Sequence, residues 1–455
     1  MQERQFIQKS CIRTQLAVRY EPVQKLTPDS TNPRKHSDRQ IKALIKSIKA
    51  FGFNIPIAVN ANNQVIAGHA RLEAAKRMGL IDVPVIRLDH LSDEQAKAFL
   101  IADNRLSEMS EWNGELLAVH LKELSVLNLD FDLEATGFTM GEIDLKIEGL
   151  SITPEVDPAD TFEESTGPAV TRLGDIWQLG KHRILCGDAL QKSSYEALMQ
   201  GELGAAVTAD FPFNVPVNGH VSGNGKTKHA EFAMASGEMN RAEFTQFLKT
   251  VFEHLVDYTH PGSLHFQFMD WRHLTEILSA GESTYSELKN ICVWVKDRGG
   301  MGSMYRSQHE LILVFKNGKA PHRNNIELGK YGRYRTNVWS YPSAITMSRQ
   351  SGGENVLAMH PTVKPIALIA DAILDCTERG NIVIDSFLGS GTTLLACERV
   401  GRVCRGLELE PKYVDLAIRR WQTLTGEKAI HEASGQSFSA REALALEATE
   451  EHGHE

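Results

Sequence analysis

Two short stretches of this 455-residue chain hold residue types whose spacing could do chemistry. The first is Ala209-Asp210-Phe211-Pro212-Phe213-Asn214-Val215. It offers a carboxylate, a proline-stiffened turn and an aromatic ring within four residues. The carboxylate can accept hydrogen bonds and the ring can stack on a flat ligand. The second is Asp385-Ser386-Phe387-Leu388-Gly389-Ser390-Gly391-Thr392-Thr393. Ile382-Val383-Ile384 before it reads as a buried strand, and Leu394-Leu395-Ala396-Cys397 after it as the start of a helix. A glycine turn between strand and helix brings backbone N–H groups and a helix N-terminus close to a ligand, with no side chain in the way. A further strand, from Val403 to Leu407, ends at Glu408 and Glu410. Glu408 lies nineteen positions after Gly389, where an acid is placed to accept hydrogen bonds from a ribose. Strand, turn, helix, strand and acid together point to an adenosine-type cofactor. On these residues alone NAD and S-adenosylmethionine both stay open.

The elements that must position these residues fall into two domains. In the second, residues 172–426, apolar runs predict strands at Ile184-Leu185, Ala205–Thr208, Leu264–Phe268, Ile291–Val295 and Leu311–Phe315, with helices between several of them, as at Arg241–Val256. Alternating strands and helices predict a doubly wound α/β sheet. Asp210 follows one of these strands directly, at the carboxyl edge where open α/β sheets bind ligands. The glycine turn comes last, so the order is that of a circularly permuted fold.

The first domain, residues 18–143, predicts a small α+β unit. Ile41, Leu44, Ile45 and Ile48 mark one face of a helix over 39–51 that Gly52 ends. Strands at Pro56–Asn60 and Val65-Ile66 flank an Asn62-Asn63 turn. A helix from Leu72 to Met78, a strand from Val83 to Leu88 and a helix from Asp93 to Leu106 capped by Ser92 follow. Residues 144–171 read as an acidic linker poor in large apolar residues, and 427–455 as an acidic, frayed or weakly helical tail.

Composition narrows the class. Apolar content of 42% and charged content of 24% suit a globular chain with proper cores. No apolar run approaches the ~18–20 residues that span a bilayer, and no signal peptide is read at the N-terminus. A cytoplasmic location is the expectation. The six cysteines form no C-x-x-C and no Cys/His cluster at metal spacing, so no metal site is expected. The net charge of −9 argues against nonspecific coating of nucleic acid. Yet from Lys296 to Arg349 ten Lys/Arg stand against three Asp/Glu, a local basic patch able to meet phosphates, with Arg306, Arg323, Arg333 and Arg335 as candidate DNA contacts.

The second domain resembles the amino-methylating DNA methyltransferases, whose Asp-Pro-Pro-Tyr motif is similar to Asp210-Phe211-Pro212-Phe213. The family's Phe-x-Gly-x-Gly cofactor turn matches Phe387-Leu388-Gly389-Ser390-Gly391. His360-Pro361-Thr362-Val363-Lys364-Pro365 resembles the segment preceding the cofactor strand in the permuted (β) subgroup. The resemblance spans roughly Leu173 to Gln422 and implies a Rossmann-like sheet and S-adenosylmethionine as cofactor. It assigns the cofactor to Asp188, Lys364, Asp385, Phe387, Gly389, Gly391, Thr392 and Glu408, with Gly187-Asp188 beside the adenine. It makes Asp210, Phe211, Pro212 and Phe213 catalytic. The exocyclic amine of adenine is a poor nucleophile because its lone pair is conjugated into the ring. Asp210 and the Phe211 carbonyl would accept both amine hydrogens and aim the lone pair at the methyl group. The target base must be flipped out of the duplex, and Phe213 would stack on it. Methyl transfer is then an in-line displacement. Asp at the first position leans toward adenine N6, while cytosine N4 remains an alternative. Phe211 departs from the family's Pro, which fixes φ. It adds bulk beside the target base and predicts weakened catalysis. A DNA-binding protein with a weak or inactive methylase domain is therefore a further alternative. Residues 296–359 correspond to the family's target-recognition region.

The first domain resembles the N-terminal domain of the chromosome-partition protein ParB, a fold of the ParB/sulfiredoxin type. Asn32-Pro33-Arg34, Gly68-His69-Ala70-Arg71 and Asp103-Asn104-Arg105 carry the resemblance over about Val18 to Ser110. It implies a CTP site at Arg34, Gly68, His69, Arg71, Asp103 and Asn104, although Arg105 follows Asn104 directly where the family spaces them. The two resemblances together imply double-stranded DNA as partner, a homodimer, a restriction-modification setting and a bacterial or phage origin.

Overall fold

The computed structural model describes residues 16–110, 112–125, 127, 129–149, 168–214, 237–299, 304–326, 335–343 and 364–452. The chain divides into two units, Met1–Ile152 and Thr153–Glu455.

The first unit is built on a four-stranded sheet of β1 (Val18–Pro22), β2 (Ile57–Val59), β3 (Val65–Ala67) and β4 (Asp82–Arg87), in the order β1-β4-β2-β3. β2 and β3 form the hairpin expected around Asn62-Asn63, with Asn63 at φ 62° in the left-handed region that Asn tolerates. Helix α1 (Asp38–Phe51) is capped by the Ser37 side chain and stopped at Gly52. Helix α2 (His69–Met78) starts three residues earlier than its apolar residues announce and ends at the left-handed Gly79. Helix α3 (Asp93–Glu108) opens on a capping box between Ser92 and Gln95. Helices α4 (Gly114–Ser125) and α5 (Met140–Gly149) share a small core of Leu121, Leu133 and Ile143. Helix α5 carries regular structure into the region read as linker. Residues 150–167 of that linker lie outside the described residues.

The second unit is a ten-stranded sheet with helices on both faces. Its strands are β5 (Ile176–Leu179), β6 (His182–Cys186), β7 (Gly204–Asp210), β8 (Thr259–Met269), β9 (Glu287–Lys296), β10 (His309–Lys316), β11 (Val338–Tyr341), β12 (Ile382–Asp385), β13 (Val403–Glu408) and β14 (Ile430–His431). They lie in the order β11-β9-β10-β8-β7-β12-β13-β6-β5-β14. The central run β8-β7-β12-β13-β6 is parallel. β10 pairs antiparallel with both neighbours, as β5 does, so the sheet is mixed. Helices α6 (Lys192–Met199), α7 (Arg241–Asp257) and α8 (Leu274–Thr284) cover one face through Tyr195, Phe244, Phe252 and Ile277. Helices α9 (Ile366–Cys376), α10 (Thr392–Arg399) and α11 (Pro411–Thr425) cover the other through Ile369, Leu394 and Trp421.

The acidic tail needs correction. Residues 427–447 are not frayed: β14 extends the sheet beside β5, and helix α12 (Phe438–His452) seats Phe438 at 1% exposure. The Phe438 ring meets Trp177 edge-on at 5.3 Å, and Arg419 binds Glu442 at 2.7 Å. Thr171, at the expected linker's end, is likewise fixed: its backbone and hydroxyl both donate to the Asp415 carboxylate. Phe438→Ala should remove ~3–5 kcal/mol of stability from the second unit. Denaturant unfolding read by tryptophan emission measures this; a change under ~1 kcal/mol would show the segment to be a detachable tail.

Candidate functional site

The parallel run sets where the polar residues gather. β7, β12, β13 and β6 all end at the same sheet edge, so Asp210, Asp385, Glu408 and the Gly187-Asp188 pair emerge there. β9 runs with them and brings Lys296. β10 runs the other way, so its beginning, Glu310, reaches that edge too. Among the described residues the next helix after β7 is α7 on one face, and β12 leads into α10 on the other. Neighbouring strands whose connections leave to opposite faces open a crevice between them, the switch point at which such sheets bind ligands. Asp210 and the glycine turn are its two lips.

On the β12 lip, Gly389 (φ 51°) and Gly391 (φ 88°) shape the turn, and Gly389 N–H donates to Glu408 Oε2 at 2.7 Å. Gly391 serves packing more than ligand approach: a Cβ there would lie 2.7 Å from the Ala417 Cβ of α11. Asp385 accepts from Phe387 N–H (3.0 Å) and from the Thr393 hydroxyl (2.6 Å), whose oxygen also meets Thr208 Oγ1 of β7. Asp188 accepts from Leu190 N–H and turns the chain after β6. Burial pushes the Asp385 and Glu408 carboxyls up to about 7 each. The crevice thus holds carboxylate acceptors and the start of α10, with the N–H groups of Phe387 and Gly389 already given to Asp385 and Glu408. A ribose diol needs acceptors and an amino-acid end needs donors and an acceptor, so this set fits an adenosine-type cofactor carrying an amino acid.

On the β7 lip, Asp210 is about one-fifth exposed (19%). Lys364 Nζ donates to its Oδ2 at 2.5 Å. Oδ1 is buried and has no hydrogen-bond partner among the described residues. Burial pushes the Asp210 carboxyl up, and Lys364 opposes that rise. Phe213 lies at the same lip, its ring 5.6 Å from Lys364 Nζ. Asn214 takes a left-handed φ of 51° and clamps the returning chain, accepting from Gly237 and Met239 N–H and donating to the Met239 carbonyl.

Three expected placements change. Phe211 does not crowd the crevice. Its ring is 2% exposed in the core, edge-on to Phe252 at 5.6 Å and 4.8 Å from Phe387. Strand alternation puts its side chain toward α7, so the bulk that replaces proline is absorbed by packing. The Lys364 ammonium is engaged by Asp210 and by Glu310 (3.1 Å); its carbonyl accepts from Thr392 Oγ1 at 3.4 Å. Arg335 is a structural cation: it pairs with Asp371 (3.0 Å) and Asp375 (2.6 Å) and stacks on Trp339. Of the other basic candidates, Arg306 is exposed, Arg323 pairs with Glu378, and Arg333 lies outside the described residues, as do residues 360–363 of the segment before Lys364. Sequence reading missed Glu310 and Lys296. Glu310 is a buried acid inside an apolar strand, a signal that was available.

In the first unit, the three expected motifs converge. Arg34 donates to the Asn104 carbonyl (3.3 Å) and meets Glu108 (3.0 Å). His69 Nε2 accepts from Asp29 N–H. Arg71 folds over Gly68 (φ 100°), with its Nε buried and unpartnered among the described residues, and Asp103 supplies a nearby negative charge. Among the described residues no group of three His, Cys, Asp or Glu side chains could hold a metal ion. No described helix is long and apolar enough to cross a membrane.

Comparison with known sequences agrees with both halves. The DNA methylase (N6/N4) family matches residues 205–419, the ParB N-terminal domain residues 9–105, and a ParB-methyltransferase helix-turn-helix domain residues 115–173. The chain thus carries a DNA methylase domain of the N6/N4 family, with a ParB N-terminal domain ahead of it. The ParB-like nuclease domain-containing protein YnaK of Escherichia coli (strain K12) is 42% identical over 80 residues, 18% of this chain and 92% of YnaK. Type II methyltransferase M.ScaI of Streptomyces caespitosus is 33% identical over 105 residues, 23% of this chain and 32% of M.ScaI. Type II methyltransferase M2.MboI of Moraxella bovis is 29% identical over 146 residues, 30% of this chain and 51% of M2.MboI. The chain therefore spans about half or less of these methyltransferase relatives. The helix-turn-helix match takes in α4 and α5 and the whole of the expected linker.

Gly391→Ala should cost the methylase domain ~1–3 kcal/mol, because the new methyl group meets Ala417 and φ is left-handed. Thermal unfolding checks this, and Gly391→Ala combined with Ala417→Gly should recover part of the loss. An unchanged midpoint in the single variant would remove the packing account of this glycine.

Proposed function

We propose that the chain transfers a methyl group from S-adenosylmethionine to the exocyclic amine of a flipped-out base in double-stranded DNA, with adenine N6 as the target. The observation that carries this is the buried, unpartnered Oδ1 of Asp210 at the switch point, beside Phe213 and across from the glycine turn. A buried acceptor without a donor is costly, and an amine hydrogen would supply the missing bond.

S-adenosylmethionine would supply an electrophilic methyl group on a positively charged sulfur. Glu408 and Asp188 are the acceptors for its adenosine end, and the N-terminus of α10 supplies donors. Asp210 Oδ1 accepts one amine hydrogen and turns the nitrogen lone pair toward the crevice, while Phe213 stacks on the base. As the nitrogen gains the methyl group it loses a proton, which Asp210 is placed to take. The side chain of Phe211 lies in the core and leaves this space open. In the first unit, Gly68, His69, Arg71, Asp103 and Asn104 are candidates for a CTP site. Arg34, drawn into the Asn104 carbonyl and Glu108, would orient α3 there.

Labelled methyl transfer from S-adenosylmethionine to unmethylated DNA tests the activity, with nucleosides resolved after digestion. The expected product is N6-methyladenine, falling ~100-fold or more in Asp210→Ala. N4-methylcytosine instead would overturn the choice of base, and label unaffected by Asp210→Ala would overturn the site.

A further inference from the structure

We propose that Lys364 is a positioning residue for Asp210, held in place by Glu310, and that it determines which carboxylate oxygen meets the target amine. This rests on the DNA amino-methylation proposed above.

Four charges of alternating sign form a line across the sheet edge. Lys296 Nζ lies 2.6 Å from Glu310 Oε1, Glu310 Oε2 lies 3.1 Å from Lys364 Nζ, and Lys364 Nζ lies 2.5 Å from Asp210 Oδ2. The line is neutral as a whole, and its centre is dry: the Lys364 and Glu310 side chains are 5% and 9% exposed. Rings of Phe213, Phe268 and Trp294 stand 5.5–5.9 Å from the Lys364 ammonium. Such an ammonium is costly to bury unless both its charge and its donors are matched. Here Asp210 and Glu310 match it.

The consequence for Asp210 is geometric. Oδ2 is filled by Lys364, so Oδ1 alone is left for the amine. The Lys364 carbonyl meanwhile accepts from Thr392 at the start of α10. One residue therefore touches the catalytic carboxylate with its side chain and the cofactor helix with its backbone. Register explains Glu310: β10 lies beyond β8, and only because it runs antiparallel does its first turn reach this edge.

Charge sets the sign of the test. The charged groups facing Asp210 are Lys364, Glu310 and Lys296, with Asp385 on the neighbouring strand. Burial raises the Asp210 carboxyl and Lys364 opposes it, so removing Lys364 lets Asp210 hold its proton to higher pH. Removing the charge of Glu310 does the reverse, because Lys364 then acts on Asp210 alone.

Single-turnover methyl transfer is measured against pH for the native chain, Lys364→Met, Lys364→Arg and Glu310→Gln, with S-adenosylmethionine affinity by calorimetry alongside. Lys364→Met should slow transfer ~100-fold, leave cofactor affinity within about threefold and move the acid limb to higher pH, with Lys364→Arg recovering part of the rate. Glu310→Gln should move the acid limb to lower pH. Cofactor affinity lost about tenfold or more with the acid limb unmoved would place Lys364 at the cofactor and overturn the proposal, and so would limbs that move the same way in both variants. If the native chain methylates no DNA, the methylase proposal fails by itself. The Lys364–Asp210 coupling is then read from the carbon-13 carboxyl infrared band of Asp210, identified against Asp210→Asn. A titration midpoint raised in Lys364→Met and lowered in Glu310→Gln supports the coupling; an unmoved midpoint overturns it.

Discussion

Asp210 ends a strand covered on both faces, where leaving water favours the protonated carboxyl. Yet the ionised form is the stronger acceptor for the amine hydrogens that Asp210 is proposed to hold. The parallel strands make this conflict sharper, since they also deliver Asp385 and Glu408 to the same edge, and like charges raise one another. The counterweight is the pair of ammonium groups on Lys364 and Lys296, with Glu310 between them keeping the group neutral. Much of the architecture around the crevice follows from that balance. An antiparallel strand is inserted where an all-parallel sheet would have no acid to offer, and rings rather than water surround the central lysine.

The same edge shows how a motif can change without losing its geometry. Position 211 is phenylalanine here, where the Asp-Pro-Pro-Tyr motif that this stretch resembles has proline. Alternation along an extended chain sends successive side chains to opposite sides. The side chain of 211 therefore points away from that of 210 and joins Phe252, Phe247 and Phe387 under α7. Pro212 still restricts residue 211 to extended backbone. Loss of one ring constraint is offset by a buried aromatic contact, an exchange of backbone rigidity for packing.

What the sequence disclosed followed from local rules. Apolar runs gave β7, β12 and β13, the stretch Arg241–Val256 is the helix α7, and Gly52 and Gly79 ended helices where expected. The spacing from Gly389 to Glu408 is a real contact, a 2.7 Å hydrogen bond. Features that depend on register across the sheet were not legible. Glu310 and Lys364 are far apart in the chain and meet only because β10 lies two strands from β7. Arg335 looked like a surface cation because its partners, Asp371 and Asp375, sit on a helix whose packing no local pattern announces. The acidic composition after residue 427 concealed Phe438, a single ring that decides where that segment docks.

The hairpin of β9 and β10 has one further property. Its two roots are Lys296 and Glu310, the first two members of the charge line, and they are stitched by the Lys296 N–H to the Gln308 carbonyl and by the Gln308 amide to the Lys296 carbonyl. The hairpin arm beyond them carries exposed Arg298 and Arg306. An anion held by those two cations would therefore rest on the same hairpin whose roots form the ion pair next to Lys364.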